Sequence, residues 1–200
     1  ASELSEYYTF EVPGAKFMPA VKARRWDGKI RMLNRTNGEI NAGLYWSIKK
    51  FCMERGYGIH VEDGAYGLPY TINKVNHMET MKWISTLNLP FAPRDYQYDA
   101  LCHAIKFKRS ILISPTGSGK SLIIYLLLRW YLENKDKRAL IIVPTTSLVE
   151  QMTKDFTDYG FDPDLLHKIY SGKDKETNKR VVVTTWQSIY KLGPKWFEDF

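Results

Sequence analysis

The sequence predicts an α/β domain built on a parallel sheet, preceded by a small α+β domain with an antiparallel sheet. Pro90 and Pro93, in the stretch NLPFAP, divide the chain. Before this break, Asp-Gly and Asn-Gly dipeptides are typical of hairpin turns, and after it strand and helix patterns alternate as in parallel sheets. We therefore expect the small domain at residues 1–88 and the parallel-sheet domain at residues 89–200.

The charge balance indicates a polyanionic partner. The 200 residues include 29 Lys and Arg against 22 Asp and Glu, which gives a formal net charge of +7. The longest apolar run, Leu122 to Leu128, is too short to cross a bilayer, and no secretory signal is visible. We therefore expect a cytoplasmic protein, monomeric and without a membrane partner. Cys52 and Cys102 lack metal or disulfide spacing, so we expect reduced thiols in the core.

The first hairpin signal is Asp27-Gly28, within RRWDGKIRML. A two-residue turn there places Arg24 opposite Arg31 and sorts five residues onto one face. Like charges directly opposed cost stability unless an anion lies between them. This face is therefore predicted to bind a nucleic-acid backbone, with a solvated face that binds nothing as the alternative. The residues of the face are Lys22, Arg24, Trp26, Lys29 and Arg31.

The rest of the first domain follows from turn and cap signals. Asn37-Gly38 is a second hairpin signal, and a helix is predicted over residues 41–55, ending at Gly56. A strand is expected over residues 57–61, and another helix begins at Asn76, with Glu79 at the capping-box position.

The second domain opens with a predicted helix over residues 94–108, then a buried strand over 110–113. The segment PTGSGKS, residues 115–121, leads from that strand into a helix that is apolar on nearly every side. Strand, glycine loop and helix are the setting that a phosphate-binding loop requires. The alternative is a glycine turn that only precedes a core helix.

Each residue type in this loop suits a phosphate ligand. Gly117 and Gly119 allow the backbone to turn its N–H groups towards one anion, and the helix N-terminus adds positive potential. Lys120 is expected to reach the terminal phosphates, and Ser121 to offer its hydroxyl to Mg²⁺. Ser114 stands where the general pattern has its first glycine.

Two later strands are predicted at residues 139–143 and 181–185, parallel to residues 110–114. Loops after parallel strands converge on one edge of the sheet, so the residues that follow them are expected beside the phosphate loop. Hydroxyl groups there can hold a nucleic-acid phosphate chain, although helix capping is a serious alternative for the threonines. The residues concerned are Thr145, Thr146, Thr185 and Gln187.

These segments resemble superfamily 2 helicases. PTGSGKS, LIIVPTTSLVEQ (140–151) and VVVTTWQSI (181–189) are similar to motif I, motif Ia and the later threonine-rich segment. PRDYQYDAL resembles the adenine-recognition element, and IYSGKDK resembles the short glycine segment between the two DNA-facing motifs. FMPAVKARRWDGKIRML and GLYWSIKKFCMERGY are similar to the amino-terminal domain of phage UvsW-type recombination and repair helicases.

The resemblance implies a partial RecA-like motor domain that uses ATP and Mg²⁺. It implies catalytic roles for Lys120 and Ser121, with Ser121 also binding the metal. It implies nucleotide contacts by a larger set: Arg94, Gln97, Thr116, Gly117, Ser118, Gly119, Lys120 and Ser121. Its implied function is an ATP-dependent DNA helicase acting on branched or duplex DNA, or on RNA–DNA hybrids, in the host cytoplasm if phage-encoded.

Three other functions stay open. They are the translocating subunit of a restriction enzyme, a nucleic-acid-binding module without catalysis and, less well supported, a small-molecule kinase. ATP hydrolysis also needs an acidic motif, and neither Glu62-Asp63 nor Glu198-Asp199 has the right position. We therefore expect an amino-terminal fragment of a larger enzyme, truncated before that motif and with negligible ATPase activity alone.

Overall fold

The computed structural model describes residues 2–62, 74–170 and 174–200. Contacts divide it into two compact units, Ala1–Thr71 and Ile72–Phe200. This division falls earlier than the expected boundary at 88, while the roles assigned to the two domains stay predictions. Asp63 and the glycine segment at 171–173, both considered above, lie outside the described residues.

Over residues 2–62, the first unit contains a two-stranded antiparallel sheet and three α-helices. Its strands pair with Phe10 opposite Ile30. Single 3₁₀ turns at Ala15–Phe17 and Ala42–Leu44 connect its elements. The elements are α1 (Ser2–Tyr7), β1 (Thr9–Glu11), α2 (Pro19–Lys22), β2 (Lys29–Arg31) and α3 (Tyr45–Glu54).

The predicted hairpin at Asp27-Gly28 is wrong. The strand β2 pairs with β1, and Arg31 lies opposite Thr9 instead of Arg24. The segment before Asp27 begins a helix at Pro19, whose fixed φ suits the first helical position, and Arg24 then turns with a φ of 54°. The antiparallel sheet therefore exists, but it has a different partner strand.

The second hairpin signal is confirmed as a turn wider than predicted, and the helix after it is confirmed from Tyr45, after a 3₁₀ turn at Ala42–Leu44. Leu33 bridges Ile40, and the Asn34 N–H donates to the Glu39 carbonyl at 2.8 Å. The turn spans four residues instead of the predicted two, and Gly38 has the positive φ of 75° that the turn needs. The helical stretch that follows ends before Gly56, which also has a positive φ.

The predicted strand at residues 57–61 is wrong, since these residues have no strand pairing, and Tyr57 instead makes a side-chain contact with α1. The Tyr57 hydroxyl donates to Glu3 Oε2 at 2.7 Å, and Arg55 Nε donates to Glu3 Oε1 at 2.8 Å. These two donors hold the pKa of the Glu3 carboxyl below its usual value. The Arg55 guanidinium also lies 4.0 Å from the ring centre of Phe51, which is buried.

The second unit contains a three-stranded parallel sheet and most of the helices. The strand order is β3-β5-β4, with Val143 opposite Thr185 and Ile169 opposite Thr184. The predicted fold class is therefore confirmed. The elements are α4 (His77–Thr86), α5 (Asp95–Phe107), α6 (Lys120–Asn134), β3 (Ala139–Val143), α7 (Thr146–Asp158), β4 (Leu166–Ile169), β5 (Val181–Thr185), α8 (Trp186–Ile189) and α9 (Pro194–Phe197).

The central strand β5 is buried along its whole length. Val181 and Val183 pack into the main core with α4, α5, α6 and α7, while Val182 faces a smaller cluster with Ile169 and Ile189. Alternation along the strand places successive side chains on opposite faces, as expected. The helix α4 begins at its predicted cap, since Asn76 Oδ1 accepts from the Met78 N–H at 3.1 Å. The apolar helix α6 is buried as predicted.

The predicted strand at residues 110–113 is wrong. Its apolar side chains are exposed, with Ile111 at 89% and Ile113 at 96%, and among the described residues no strand pairs with this segment. A strand needs backbone partners for its N–H and C=O groups, and an apolar run does not supply them. The third strand is instead β4, which includes the polar His167 and Lys168.

Replacement of Gly28 by alanine is predicted to destabilise the first unit by about 2 kcal/mol or more. A Cβ there meets Ala15 Cβ at 2.9 Å, and the φ of 79° adds the cost of a left-handed residue, about 1–2 kcal/mol. The matched control is Gly38→Ala, where φ is 75° and no atom lies within 4 Å of the added Cβ. Urea unfolding measures both free energies, and equal losses in the two variants would contradict the packing argument.

Candidate functional site

The glycine loop closes on itself through serine and lysine contacts. Gly117 and Gly119 have φ values of 80° and 71°, as the predicted anion loop requires. The Ser118 hydroxyl donates to the Pro115 carbonyl at 2.8 Å and also bonds the Ser114 hydroxyl. The serine at the first position of the motif is therefore part of the loop's hydrogen bonding.

Gln97 holds this loop against α5. Its Oε1 accepts from the Arg94 N–H at 2.9 Å, while its Nε2 donates to the carbonyls of Ser118 at 2.9 Å and Gly119 at 3.4 Å. The side chain is only 6% exposed, and a Cβ on Gly119 would lie 2.5 Å from Nε2. The amide thus supports the loop, and its predicted contact with adenine stays a prediction.

A cleft of about 720 Å³ lies beside the loop. Arg94, Tyr96 and residues 114–118 are among the residues that line it. The Tyr96 hydroxyl donates to the Ser118 carbonyl at 3.0 Å, and the Arg94 guanidinium donates to the Tyr96 hydroxyl at 3.4 Å. The cleft volume is within the range of small-molecule sites, so Arg94 and the loop can share one ligand.

Lys120 and Ser121 begin α6, directly after the loop. The Lys120 ammonium donates to the Pro115 carbonyl at 2.7 Å and to the Ser114 carbonyl at 3.3 Å, so the charge lies over the loop. The Ser121 hydroxyl lies 3.0 Å from the hydroxyl of Tyr159, just after α7. The predicted cofactor-binding residues therefore lie in and around one loop, and Tyr96 and Tyr159 contact two of them, Ser118 and Ser121.

The residues present fit a magnesium nucleotide. The first turn of α6 has backbone N–H groups without intrahelical partners, which suit phosphate oxygens. Ser121 offers a hydroxyl oxygen, a ligand type that Mg²⁺ accepts together with phosphate and water. Among the described residues, no group of three or more His, Cys, Asp or Glu could hold a metal ion.

The predicted nucleic-acid residues of the second unit lie at one edge of the sheet. Val143 and Thr185 end paired parallel strands, so Thr145 and Thr146 follow one strand where Gln187 follows the other. Thr145, Thr146 and Gln187 are exposed. The Thr145 hydroxyl accepts from the Leu148 N–H at 3.3 Å, which makes it the helix cap that the alternative interpretation expected.

Thr185 differs from its three neighbours at this edge. Its side chain is 4% exposed, and its hydroxyl bonds the Ser188 hydroxyl at 2.9 Å. The side chain is therefore a hydrogen-bonding group of the turn between β5 and α8. Its contact with nucleic acid stays a prediction.

The expected place of the threonines beside the phosphate loop stays a prediction, because the contact of the loop with α7 is at the other end of that helix. Ser121 contacts Tyr159 at the carboxyl end of α7, whereas Thr145 and Thr146 lie at its amino end. The 13 residues of α7 separate these ends by about 20 Å at 1.5 Å per residue. The sequence order of the motifs did not reveal this separation.

The structure does not have the arrangement of basic residues on which the predicted nucleic-acid face of the first unit rested. The Arg31 guanidinium pairs with the Asp27 carboxylate, and this contact lowers the pKa of Asp27 to about 2. Lys29 lies 3.4 Å from Glu11, and Trp26 Nε1 donates to the Lys29 carbonyl at 2.9 Å. The repulsion that an anion was expected to relieve is absent from this face. Nucleic-acid binding by these residues, and by Lys22 and Arg24, stays a prediction.

The late acidic pair lies far from the carboxyl edge of the sheet. The Asp199 carbonyl accepts from the Arg138 N–H at 3.1 Å, and Arg138 immediately precedes β3. Asp199 therefore lies at the amino end of this strand, and this position agrees with excluding Asp199 from the acidic motif. The contact of Tyr159 with Ser121 was not expected from the sequence. The one signal for Tyr159 is its place before Gly160, the glycine that follows α7.

Two family models match the chain. Residues 90–196 match the type III restriction enzyme, res subunit, and residues 1–62 match the amino-terminal domain of DNA helicase UvsW. Together they account for both units described above.

Individual relatives agree with these matches. The ATP-dependent DNA helicase uvsW of Enterobacteria phage T4 is 37% identical over 214 aligned residues, covering 99% of this chain and 40% of the relative. The DNA 3'-5' translocase XPB2 of Sulfurisphaera tokodaii is 32% identical over 108 residues, covering 52% of this chain and 23% of the relative. A crystal structure of the phage T4 UvsW helicase superposes with a TM-score of 0.87 at 36% identity, covering 100% of this chain and 72% of that one.

Replacement of Gln97 by alanine is predicted to destabilise the second unit by about 1–3 kcal/mol. The change leaves the backbone N–H of Arg94 without its partner and leaves the Ser118 carbonyl with the Tyr96 hydroxyl alone, in a site where water is largely excluded. Hydrogen exchange should accelerate most at the amides of residues 117–121. Gln151→Ala on the exposed face of α7 is the control, and equal effects of the two substitutions would contradict the role of Gln97.

Proposed function

Because the chain belongs to the family of the type III restriction enzyme res subunit and begins with a UvsW-type domain, we propose that it is the ATP-binding part of a DNA helicase. The chain spans about 40% of the length of its curated phage relative. The helicase activity, the substrates and the biological role therefore belong to this proposal, with branched DNA or RNA–DNA hybrids in recombination and repair as the substrates.

The observation that carries the proposal is the loop braced by Gln97 beside the cleft. Two glycines with positive φ, a lysine over the loop and an amide donating to two loop carbonyls form a cradle for one anion. Oriented backbone N–H groups and a helix N-terminus bind phosphate in this arrangement. A glycine turn that serves only packing has no use for the lysine.

Different residues contact the phosphates, the cation and the base of the nucleotide. Backbone N–H groups at residues 117–121 surround the phosphates, and the Lys120 ammonium exchanges the Pro115 and Ser114 carbonyls for phosphate oxygens. Ser121 faces the cation, and Arg94 contacts the base across the cleft. Hydrolysis of bound Mg-ATP supplies the free energy that drives movement along DNA.

Hydrolysis needs a carboxylate that positions the attacking water. The acidic pair after the phosphate loop, Glu198-Asp199, follows the short helix α9 and not a strand, so it does not have the setting of the acidic motif. We therefore propose that this chain binds nucleotide without significant turnover, and that hydrolysis requires further residues of the motor.

The DNA track is proposed at the carboxyl edge of the parallel sheet. Thr146 and Gln187 are exposed there, next to the amino ends of α7 and α8, where backbone N–H groups are available to phosphates. The net charge of +7 favours association with a polyanion. Protein and DNA would then meet away from the nucleotide loop, about one helix length along α7.

A restriction-enzyme translocase is the second candidate. It is favoured by the name of the family that matches residues 90–196, whereas the match over residues 1–62 favours the helicase. Binding to forked DNA over linear duplex of the same length would favour the helicase. Equal binding to the two forms would favour the translocase.

Lys120→Ala is predicted to weaken ADP binding by the 200-residue chain about tenfold or more. The variant loses a charge-assisted contact to phosphate, worth about 1.5–3 kcal/mol. Isothermal titration calorimetry with ADP and MgCl₂ measures the affinity. Lys106→Ala, on α5, is the control with the same loss of charge, and equal affinities of the two variants would contradict the proposed nucleotide site.

Thr146→Glu is predicted to weaken DNA binding about tenfold while leaving ADP affinity unchanged. The added carboxylate repels a phosphate chain at the amino end of α7, yet it stabilises the helix through the dipole. Fluorescence anisotropy with labelled forked DNA at two salt concentrations provides the measurement. Thr157→Glu, at the other end of α7, should bind DNA like the wild type, and an equal loss in that control would contradict the proposed track.

A further inference from the structure

Tyr159 joins the nucleotide loop to the end of α7. Its hydroxyl lies 3.0 Å from the hydroxyl of Ser121, and either oxygen can be the donor. Ser121 is the residue proposed above to face the cation of the nucleotide. A tyrosine hydroxyl is therefore the immediate neighbour of the one protein oxygen assigned to that cation.

Tyr159 is held by one contact to its backbone and by two contacts to its ring. Its backbone carbonyl accepts from the hydroxyl of Tyr125 at 3.0 Å, and Tyr125 is fully buried. The Tyr125 ring packs against it at 5.4 Å, and the Phe91 ring meets it edge to face at 5.7 Å. Contacts from α6 and from the segment before α5 thus leave the Tyr159 hydroxyl little freedom to move away from Ser121.

Binding of a cation by Ser121 determines which of the two hydroxyl groups donates the hydrogen bond. A neutral hydroxyl binds a cation through an oxygen lone pair, so its proton must point elsewhere. The oxygen of Tyr159 is an acceptor at hydrogen-bonding distance from Ser121 Oγ. Groups that accept a hydrogen bond from a metal ligand fix its orientation, and their loss typically weakens metal binding by 10–100-fold, as an order of magnitude.

We propose that Tyr159 is a positioning residue for the cation of the bound nucleotide. Its hydroxyl oxygen accepts a hydrogen bond from the Ser121 hydroxyl, which turns the serine lone pairs towards Mg²⁺, and it does not touch the nucleotide itself. The inference rests on the proposed function, because it assumes that the loop binds a magnesium nucleotide. It also explains why a polar tyrosine edge, and not an aliphatic side chain, packs against the start of α6.

The test compares ADP affinity with and without Mg²⁺ by isothermal titration calorimetry. In MgCl₂, Tyr159→Phe should bind ADP about tenfold more weakly than the wild type, because only the orienting hydroxyl is removed. In EDTA the two proteins should bind ADP equally, since no cation is present. Tyr131→Phe, ten residues along α6 from Ser121, is the matched control and should behave like the wild type in both conditions.

A double variant separates positioning from packing. In a Ser121→Ala background, Tyr159→Phe should have no further effect on affinity in MgCl₂, because the hydroxyl that it orients is gone. An equal loss of affinity in MgCl₂ and EDTA, or an additive loss in the double variant, would overturn the inference. Wild-type affinity of Tyr159→Phe in MgCl₂ would overturn it as well.

Failure of the inference is distinguishable from failure of the proposed function. If the wild-type chain binds ADP and the Tyr159→Phe chain binds it equally well in MgCl₂, the role of Tyr159 alone is refuted. Absence of ADP binding by the wild-type chain in both conditions refutes the nucleotide site and this inference together. The thermal melting temperature of each variant verifies that it is folded.

Discussion

The shape of the glycine loop depends on one buried amide. The carbonyls of Ser118 and Gly119, within the loop, accept hydrogen bonds from side chains. Gln97 donates to both carbonyls, while its oxygen accepts the Arg94 N–H at the start of α5. Because a buried polar group without a partner is costly, the same amide fixes the loop and the entry into α5. The cleft beside Arg94 exists only while both stay in place.

The parts of the structure that the sequence predicts well are those determined by local chemistry. The glycine loop needs positive φ at two positions, and only glycine adopts it readily. The helices α4 and α5 begin at their predicted positions, and α7 begins at the threonine pair. The strands β3 and β5 are apolar runs that find partners, so their pattern and their structure agree.

The parts that it does not predict depend on partners distant in the chain. The strand β2 pairs with β1 and not with residues 22–26, since a turn signal does not specify which strand competes for the same edge. Residues 110–113 have the apolar pattern of a strand but no paired strand among the described residues. The contact of Tyr159 with Ser121 joins residues 38 apart, which no spacing rule indicates.

The most direct measurement is an ¹H–¹⁵N NMR titration of the 200-residue chain with ADP and MgCl₂. If the loop is an anion cradle, the largest shift changes occur at the backbone amides of residues 116–121 and at the side-chain amide of Gln97. The amides of Thr145 and Thr146, at the far end of α7, should change much less. Unchanged loop amides at saturating ADP, or changes confined to the first unit, would contradict the nucleotide-binding role of the loop.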